Sequence, residues 1–468
     1  MKKYLIILYV VVTALLGSCS DDLGNYNYTT PEAPVVSNLD TIYKVSVGDK
    51  LTITPKVSFS NNDDLSYEWK ITIPAEMREI YAEGPELNLY FTLKAERYEA
   101  RFAVVDNRTG MKYFYYFVIS GQASFSEGIT LLTSNAGKTE ISFIRTDGSI
   151  LPNIYEHMYG ESLSQGPLQL VPLQHMFMNN FPYLGYWIIC SDKKNPGVQL
   201  DVNTFQRIKY FRENFFNEND EDLNVQYLYP TSVGVMAGII NSKLYLGASS
   251  TYYISPIYGY FGVPVLGDYI LAPYLIHTDS YFIGYDPQQK ALIYFDGGGS
   301  YFGVDYSIIG NAFDPKSLNI DIICMEMVNA DSHYILARDK ADQQIYELKF
   351  GIKTSPRALT PLYKKLFPGN SLLTVNTKWV LSNTEIFYFS SNDKVYRYNP
   401  LNEEIKVLDT NFEGKAVTCL KLGPDGKSLI AGTEGNLYFL DISTGKYGSL
   451  LKHYDGFTGS PVDVYIRK

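Results

Sequence analysis

Short apolar runs that alternate with polar residues dominate the chain between Leu39 and Gly121. They read KLTITPKVSF, LSYEWKITI, ELNLYFTL, EARFAVVDN and KYFYYFVIS, with turn residues between them. A period of two is typical of half-buried strands, and turns about 8 to 12 residues apart are typical of a β-sandwich. The pattern predicts an N-terminal β-sandwich over residues 39–121. Trp69 is expected to fill its core, and a sugar-stacking platform is the alternative role for this ring.

A different rhythm begins after Gly121. An apolar strand, a turn of Asn, Asp or Gly and a second strand with an aromatic end recur, starting near residues 140, 198, 243, 291, 344, 394 and 436. Blades of β-propellers carry four strands in about 40 to 50 residues. We therefore predict an all-β chain in which residues 122–468 form a β-propeller of seven blades, with six or eight as the alternatives.

The N-terminal segment has the order of an export signal. Lys2 and Lys3 precede an apolar run, Tyr4 to Leu16, which is shorter than the roughly 20 residues that a membrane-spanning helix needs. Leu16-Gly17-Ser18-Cys19 resembles the bacterial lipobox, in which the signal is removed before the cysteine and the cysteine is acylated. The resemblance implies a signal peptide over residues 1–18, lipid attachment at Cys19 and an acylated tether over residues 19–38. An ordinary secretory signal is the alternative.

Ser20, Asp21 and Asp22 follow the cysteine and resemble the acidic export tag of surface lipoproteins of the Bacteroidetes. The alternative is the start of a solvated linker, since acidic residues suit any tether. The tag implies a lipid-anchored protein of the outer membrane that faces outside the cell. The formal charge of the 468 residues, −10, becomes −12 without Lys2 and Lys3. Such a surface makes nucleic acid a poor partner.

The amino-acid composition supports the all-β prediction but indicates little about catalytic or metal-binding groups. The chain has 41 Tyr and 25 Phe, and its four cysteines are widely spaced. Apart from Cys19 they are Cys190, Cys324 and Cys419, each in an apolar run, so we expect buried free thiols and neither a disulfide framework nor a zinc site.

No recognisable catalytic or metal motif appears in the sequence. The five histidines are far apart, and no G-x-S-x-G elbow occurs. Asp296 to Gly303, DGGGSYFG, is expected to be a hairpin turn because it opens no helix that could hold phosphate. Asn217 to Asp222, NENDED, is read as a solvated loop, with calcium binding as the alternative. We expect no catalytic residue, no metal and no cofactor, and the protein is read as a non-enzyme.

One stretch stands out as a candidate binding site. The segment Thr251–Ile276 contains six tyrosines and a phenylalanine among Pro and Gly turns, and we call it the aromatic segment. Aromatic rings on a rigid loop suit sugar rings or a protein partner. The candidate ligand-binding residues are Tyr252, Tyr253, Tyr258, Tyr260 and Phe261, whereas Tyr269 and Tyr274 are assigned to the following strands. The alternative is that all these rings pack within and between blades.

The order of lipobox, acidic tag, sandwich and propeller resembles the PKD-like family lipoproteins of the Bacteroidetes. The residues that carry the resemblance are Cys19 to Asp22, GNYNY at Gly24 to Tyr28, YEW at Tyr67 to Trp69 and the turn Asp106 to Gly110. The W-D-F-G-D-G signature of typical PKD domains is missing. The resemblance implies an Ig-like or PKD-like sandwich and partners in a TonB-dependent outer-membrane transporter and a starch-utilisation-type lipoprotein.

Three functions are compatible with this reading. The first is a surface lipoprotein that binds a glycan or peptide nutrient for the uptake system without catalysis. The second is a propeller enzyme that degrades polysaccharide or peptide with two carboxylates. The third is a scaffold subunit that needs no ligand pocket. Because propellers support many functions, the choice depends on the site.

Overall fold

The computed structural model of the chain describes residues 32–60, 64–73, 77–122, 125–178, 181–217 and 221–467. The predicted lipid-attachment residue Cys19 and the predicted export-tag residues Ser20, Asp21 and Asp22 lie outside these ranges. The described part is almost entirely strand, turn and loop, which confirms the all-β prediction. No helix in it is long and apolar enough to cross a membrane.

Two compact units divide the chain. The first comprises the described residues up to Ile42 and those within Thr52–Asn88 and Glu99–Val118. The second comprises Tyr43–Leu51, Leu89–Tyr98 and the chain from Ile119 onward. The domain ranges expected from the sequence stay predictions.

The described part of the sandwich contains nine strands. Its main sheet has the order β2-β9-β8-β5-β6, while β1 pairs with β4 and β3 with β7. The strands are β1 (Val35–Ser37), β2 (Ile42–Ser46), β3 (Lys50–Ile53), β4 (Lys56–Ser58), β5 (Leu65–Ile73), β6 (Arg78–Glu83), β7 (Leu87–Tyr90), β8 (Arg97–Asp106) and β9 (Met111–Gln122).

Trp69 occupies the core of this sandwich. Its side chain is 1% exposed, its ring centroid lies 4.4 Å from that of Phe102, and its Nε1 donates a 2.9 Å hydrogen bond to the Gly84 carbonyl. Alternation along β5 places this ring inside while the neighbouring charged residues face outward. The prediction that Trp69 packs the core is confirmed. The turn between β8 and β9 is also where the sequence predicted it, with Gly110 at φ 74°.

Seven sheets follow in the described part of the second unit. Five of them are arranged in chain order, each with its strands antiparallel from first to last, and the fifth sheet has the same order in its four main strands. The first sheet begins with β10 (Gly128–Asn135), β11 (Lys138–Arg145) and β12 (Ile150–Leu151), and the helix α1 (Ile154–Tyr159) follows them. The second sheet is β13 (Pro167–Gln174), β14 (Tyr183–Cys190), β15 (Gly197–Leu200) and β16 (Arg207–Tyr210). The 3-10 turn Phe211–Asn214 ends the second sheet.

The third sheet has three strands, β17 (Val225–Pro230), β18 (Met236–Ile240) and β19 (Lys243–Leu246). The fourth sheet is β20 (Leu275–His277), β21 (Tyr281–Asp286), β22 (Ala291–Asp296) and β23 (Tyr301–Gly303). The fifth sheet is β25 (Ile320–Asn329), β26 (Ser332–Asp339), β27 (Ile345–Thr354) and β28 (Arg357–Leu366). The short strand β24 (Ser307–Ile308) pairs in parallel with β28 at the edge of the fifth sheet. The hairpin predicted at Asp296 to Gly303 is confirmed between β22 and β23.

The sixth and seventh sheets complete the series. The sixth is β29 (Trp379–Leu381), β30 (Phe387–Ser391), β31 (Lys394–Asn399) and β32 (Glu404–Val407), preceded by a 3-10 turn at Asn370–Leu372, and the seventh is β33 (Cys419–Leu422), β34 (Ser428–Thr433), β35 (Asn436–Asp441) and β36 (Ser449–Asp455).

The last strand, β37 (Ser460–Arg467), closes the ring. It pairs antiparallel with β10 and so supplies the fourth strand of the first sheet. It also contacts β13 and β33, the first strands of the neighbouring sheets. The seven sheets from Gly128 to Arg467 therefore form a seven-bladed propeller, as predicted, whose first blade combines three early strands with the final one.

The blades are held together by apolar side chains between successive sheets. One buried cluster joins the second and third sheets through Ile189 and Leu228, and another joins the third and fourth through Ile239 and Phe282. Strands covered on both sides explain the short, continuous apolar runs of the sequence. The thiols of Cys190, Cys324 and Cys419 are buried in these strands and free, as expected.

Candidate functional site

The aromatic segment takes the place of a fourth strand in the third blade. It leaves β19 and returns to β20, and a bridge between Gly247 and Phe261 ties its two sides together. The amide of Phe261 also donates to the Asn214 carbonyl at 2.7 Å, which fastens the segment to the second blade. The segment is thus a loop with fixed ends on the propeller.

Phe261 is the anchor of this loop. Its side chain is fully buried, with ring centroids of Phe215 and Tyr245 at 5.4 and 5.9 Å. It therefore packs the core between the second and third blades and offers no face to solvent. Tyr269 is likewise 2% exposed, and neither it nor Tyr274 lies in a strand, so their assignment to strands was wrong. Both come before β20 because the chain stays in loop conformation until Leu275.

Tyr252 and Tyr253 lie near the start of the segment and are more exposed than Phe261. Tyr252 is 60% exposed, and its ring centroid lies 4.8 Å from that of the half-buried Tyr253. The ring of His175 lies 5.8 Å from Tyr253, and Phe177, itself 70% exposed, lies 6.5 Å beyond His175. We call these four side chains the aromatic rim. They present apolar faces to solvent next to polar groups, an arrangement that suits sugars and peptides.

Tyr258 and Tyr260 are half-buried between the rim and the anchor. The hydroxyl of Tyr258 donates a 2.6 Å hydrogen bond to the Val233 carbonyl, and burial raises the pKa of this phenol. The ring of Tyr260 lies 5.6 Å from that of Phe216 and 4.4 Å from the Nζ atom of Lys209. Each ring thus has a structural contact and also an accessible edge.

A partly enclosed cavity of about 170 Å³ lies beneath the segment. The side chains that matter for its chemistry are Trp187, Gln199, Lys209, Asn214, Tyr253 and Tyr258. We call it the Lys209 pocket. Sites for drug-sized ligands measure about 300 to 1,000 Å³, so this one fits a single small group or ring.

Lys209 is the charged group of this pocket. Its strand, β16, faces the segment, and its Nζ lies 4.4 Å from the Tyr260 ring centroid and 6.0 Å from that of Trp187. Burial lowers the pKa of the Lys209 ammonium to about 8, while the nearby charge of Glu213 raises it. The Lys209 ammonium lies over these two ring faces, and it forms no ion pair with a carboxylate in the part of the chain that the structure describes.

A second, larger pocket of about 520 Å³ lies on the other side of the segment's first residues. Phe177, Val233, Thr278 and Asp279 line it, and Asp279 accepts a 2.8 Å hydrogen bond from Ser232. It shares Phe177 with the aromatic rim, so the rim borders both pockets.

Metal-binding and acid–base groups are sparse. Within the described ranges, no three His, Cys, Asp or Glu side chains come together as metal ligands. Of NENDED, residues 218–220 lie outside those ranges, and Asp222 pairs with Lys194 at 2.6 Å. Glu326 in β25 is a carboxyl whose pKa burial raises to about 7.

The sequence indicated the aromatic segment but not the residues that surround it in the fold. Trp187 and Lys209 stand in the runs LGYWIIC and RIKY, which read as ordinary strands, and His175 and Phe177 stand in a loop without a motif. These residues converge only because neighbouring blades pack side by side. No local signal could have identified them.

Comparison with known proteins gives one family match in the N-terminal third of the chain and structural similarity over most of its length. The model of the PKD-like family matches residues 19–167. No curated protein matches the sequence significantly. Among solved structures, a quinonprotein alcohol dehydrogenase-like protein from Bacteroides thetaiotaomicron is similar over 93% of this chain and 99% of its own, with 16% identity and a TM-score of 0.55. At that identity the likeness shows the fold alone.

Two further structures are more distant. The extracellular domain of a one-component system from B. thetaiotaomicron has 12% identity and a TM-score of 0.36, over 88% of this chain and 66% of its own. A dihydro-heme d1 dehydrogenase has 10% identity and a TM-score of 0.38, over 78% and 72%. Neither bears on function. Residues 19–167 of this chain thus match the PKD-like family, as the motifs predicted, and the matched range includes the sandwich strands and the strands β10 to β12 of the first propeller blade.

Proposed function

We propose that this protein is a cell-surface lipoprotein that binds a glycan or peptide nutrient without transforming it and passes it to a TonB-dependent uptake system. Acylation of Cys19 would anchor it in the outer membrane, and the residues Ser20, Asp21 and Asp22 would direct it to the outer face. A TonB-dependent transporter and a starch-utilisation-type lipoprotein are the partners that this role requires.

The observation that carries the proposal is the aromatic rim. Tyr252 and Phe177 expose most of their ring surface while the segment behind them is fixed to the core through Phe261. Large exposed rings on a rigid base bind flat ligand faces with little loss of conformational entropy. Their position beside two pockets gives a ligand both a surface and a recess.

The proposal is tested with the lipidated full chain in detergent against a panel of neutral glycans, acidic glycans and peptides. Binding is measured by calorimetry, and the same samples are analysed for products. We expect at least one panel member to bind and none to be turned over. The double variant Tyr252→Ala and Tyr253→Ala should weaken binding at least about tenfold, because stacking contacts contribute on the order of 1 to 3 kcal/mol.

Tyr116→Ala is the matched control, because this tyrosine of the sandwich is 72% exposed. It should leave binding unchanged. Turnover of any panel member would favour the enzyme, and absence of all binding together with capture of the transporter would favour the scaffold.

A further inference from the structure

Lys209 differs from Lys349 and Lys421, two partly buried lysines of the propeller that are paired with carboxylates. The ammonium of Lys349 lies 2.8 Å from a Glu385 oxygen, and that of Lys421 lies 2.6 Å from an Asp463 oxygen. Among the described residues Lys209 has no such ion pair, and its contacts are the ring faces of Tyr260 and Trp187. A cation withdrawn from water is normally paired, because desolvation is costly.

The pocket around this ammonium is unoccupied by side chains and has room for a partner. Its walls supply the apolar rings of Trp187, Tyr253 and Tyr258 and the amide groups of Gln199 and Asn214. The side-chain amide nitrogens of Gln199 and Asn214 donate to the carbonyls of Leu184 and Gly259 at 2.9 Å, which holds these groups in place. Cation, ring faces and fixed amides therefore surround one small recess.

We propose that the Lys209 pocket binds the carboxylate of one uronic-acid unit in an acidic glycan, whose neighbouring units lie along the aromatic rim. This inference rests on the proposed function and names its ligand class. The carboxylate pairs with the Lys209 ammonium, and the apolar face of the sugar ring stacks on a tyrosine. Hydroxyl groups of the sugar are hydrogen-bond partners for the amides.

The shape of the site favours a uronic acid over an acidic peptide. A pocket of about 170 Å³ accepts one ring but not a folded peptide segment. Flat aromatic walls match the flat apolar face of a pyranose, whereas an aspartate or glutamate side chain has no such face. The protein's formal charge of −10 also repels polyanions in general, so an acidic ligand needs a local cation to bind here.

The test uses the lipidated full chain and pairs of oligosaccharides that differ only in their carboxyl groups. Oligogalacturonate, oligomannuronate and oligoguluronate are each compared with their carboxyl-reduced forms by calorimetry. At least one acidic form should bind at least about tenfold more tightly than its reduced form, because only the carboxylate can form a charge-assisted hydrogen bond with the Lys209 ammonium. Lys209→Met should remove this preference, and Lys209→Arg should retain most of it.

Lys243→Met is the matched control. The Nζ of Lys243 also lies over a tyrosine ring, 4.3 Å from the centroid of Tyr269, but it is bonded to the Tyr269 carbonyl and lines no part of this pocket. It should leave the preference unchanged. If Lys209→Met does not fold, lysines of the intact chain are ¹³C-methylated and the Lys209 resonance, identified by its absence in Lys209→Arg, is followed by NMR. Acidic glycan should shift it, and the reduced form should not.

The outcomes separate this inference from the proposed function. Equal binding of acidic and reduced glycans, or a preference that survives Lys209→Met, overturns the Lys209 pocket as a carboxylate site while leaving the proposed function standing. Binding of a tri-glutamate peptide in place of all glycans, lost in Lys209→Met, overturns the uronic-acid assignment. Absence of binding by every probe overturns both.

Discussion

Val464 lies directly opposite Leu131 in the sheet that closes the propeller. One residue belongs to the final strand and the other to the first strand of the propeller, and both are buried, at 1% and 0% exposure. The first and last parts of the second unit are therefore joined by main-chain hydrogen bonds and by a shared apolar core. This closure makes the stability of the ring depend on its last eight described residues.

We expect Val464→Ala to lower the free energy of unfolding by about 2 kcal/mol, because it removes buried methyl groups and leaves a cavity. Urea denaturation followed by tryptophan fluorescence measures the change, and hydrogen exchange should speed up in β10. Val375→Ala is the control, since Val375 is fully exposed and its loss should cost no more than about 0.5 kcal/mol. Unchanged exchange in β10 would contradict the closing role of this strand.

The sequence predicted the repeat well and the closure not at all. The seven predicted unit starts fall at or next to the third strand of each blade, at β11, β15, β19, β22, β27, β31 and β35. Most of these third strands are largely buried, and β15 is buried at all four of its positions, so their local signal is strong. SPVDVYIR, by contrast, reads as any alternating strand, and its partner β10 is distant in the chain. Pairing at that separation depends on tertiary packing, which composition and periodicity do not report.

The same limit applies to the candidate site. An aromatic-rich loop was visible in the sequence, yet its residues differ sharply in role: Tyr252 is exposed, whereas Phe261 is an interior residue. Both occur in a run of rings and glycines with no clear period, so exposure could not be inferred. Lys209 was not singled out, because the absence of a carboxylate ion pair for it among the described residues depends on how neighbouring blades pack.

Stability measurements should separate the two kinds of aromatic residue. Phe261→Ala should lower the free energy of unfolding by about 3 to 5 kcal/mol, because it empties a site surrounded by rings. Tyr252→Ala should change it by less than about 0.5 kcal/mol while weakening ligand binding. Urea denaturation and calorimetry on both variants measure these effects. A large loss of stability in Tyr252→Ala would indicate that its ring packs against the protein and would argue against a binding role.

Lipid attachment gives a direct test of the proposed anchor. Cys19→Ala removes the proposed acylation site, so it should abolish labelling by an alkyne fatty acid. The protein should then move from the membrane to the soluble fraction, because several acyl chains are needed for firm anchoring. Cys190→Ala is the control, since that thiol is buried in the second blade and burial raises its pKa to about 11. It should keep the label. Labelling that persists in Cys19→Ala would refute the lipoprotein assignment.

Glu385 should stabilise the propeller above acidic pH. Burial favours its neutral form, but hydrogen bonds from Lys349, Ser332 and Tyr334 outweigh burial and hold the pKa of the carboxyl near 2. Because this pKa is below that of the unfolded chain, the contribution is present above about pH 4.5 and is lost as the pH falls toward 2. Glu385→Gln should therefore cost roughly 2 kcal/mol at pH 7, allowing for its partial exposure, and little at pH 2. An equal cost at both pH values would contradict the charge-based account.

The Glu326 carboxyl, unlike that of Glu385, should destabilise the propeller when it is ionised. Burial raises the pKa of its carboxyl to about 7, and no ion pair offsets that burial among the described residues. In the unfolded chain the group ionises near pH 4.5, so folding must desolvate a charge at high pH and none at low pH. The free energy of unfolding therefore decreases as the pH rises from about 4.5 to 7. Glu326→Gln stays neutral and should raise the free energy of unfolding by up to about 3 kcal/mol at pH 8, with little change at pH 4.5. Urea denaturation at the two pH values measures this. A variant less stable than the parent at pH 8 would show that the ionised carboxylate has a stabilising partner.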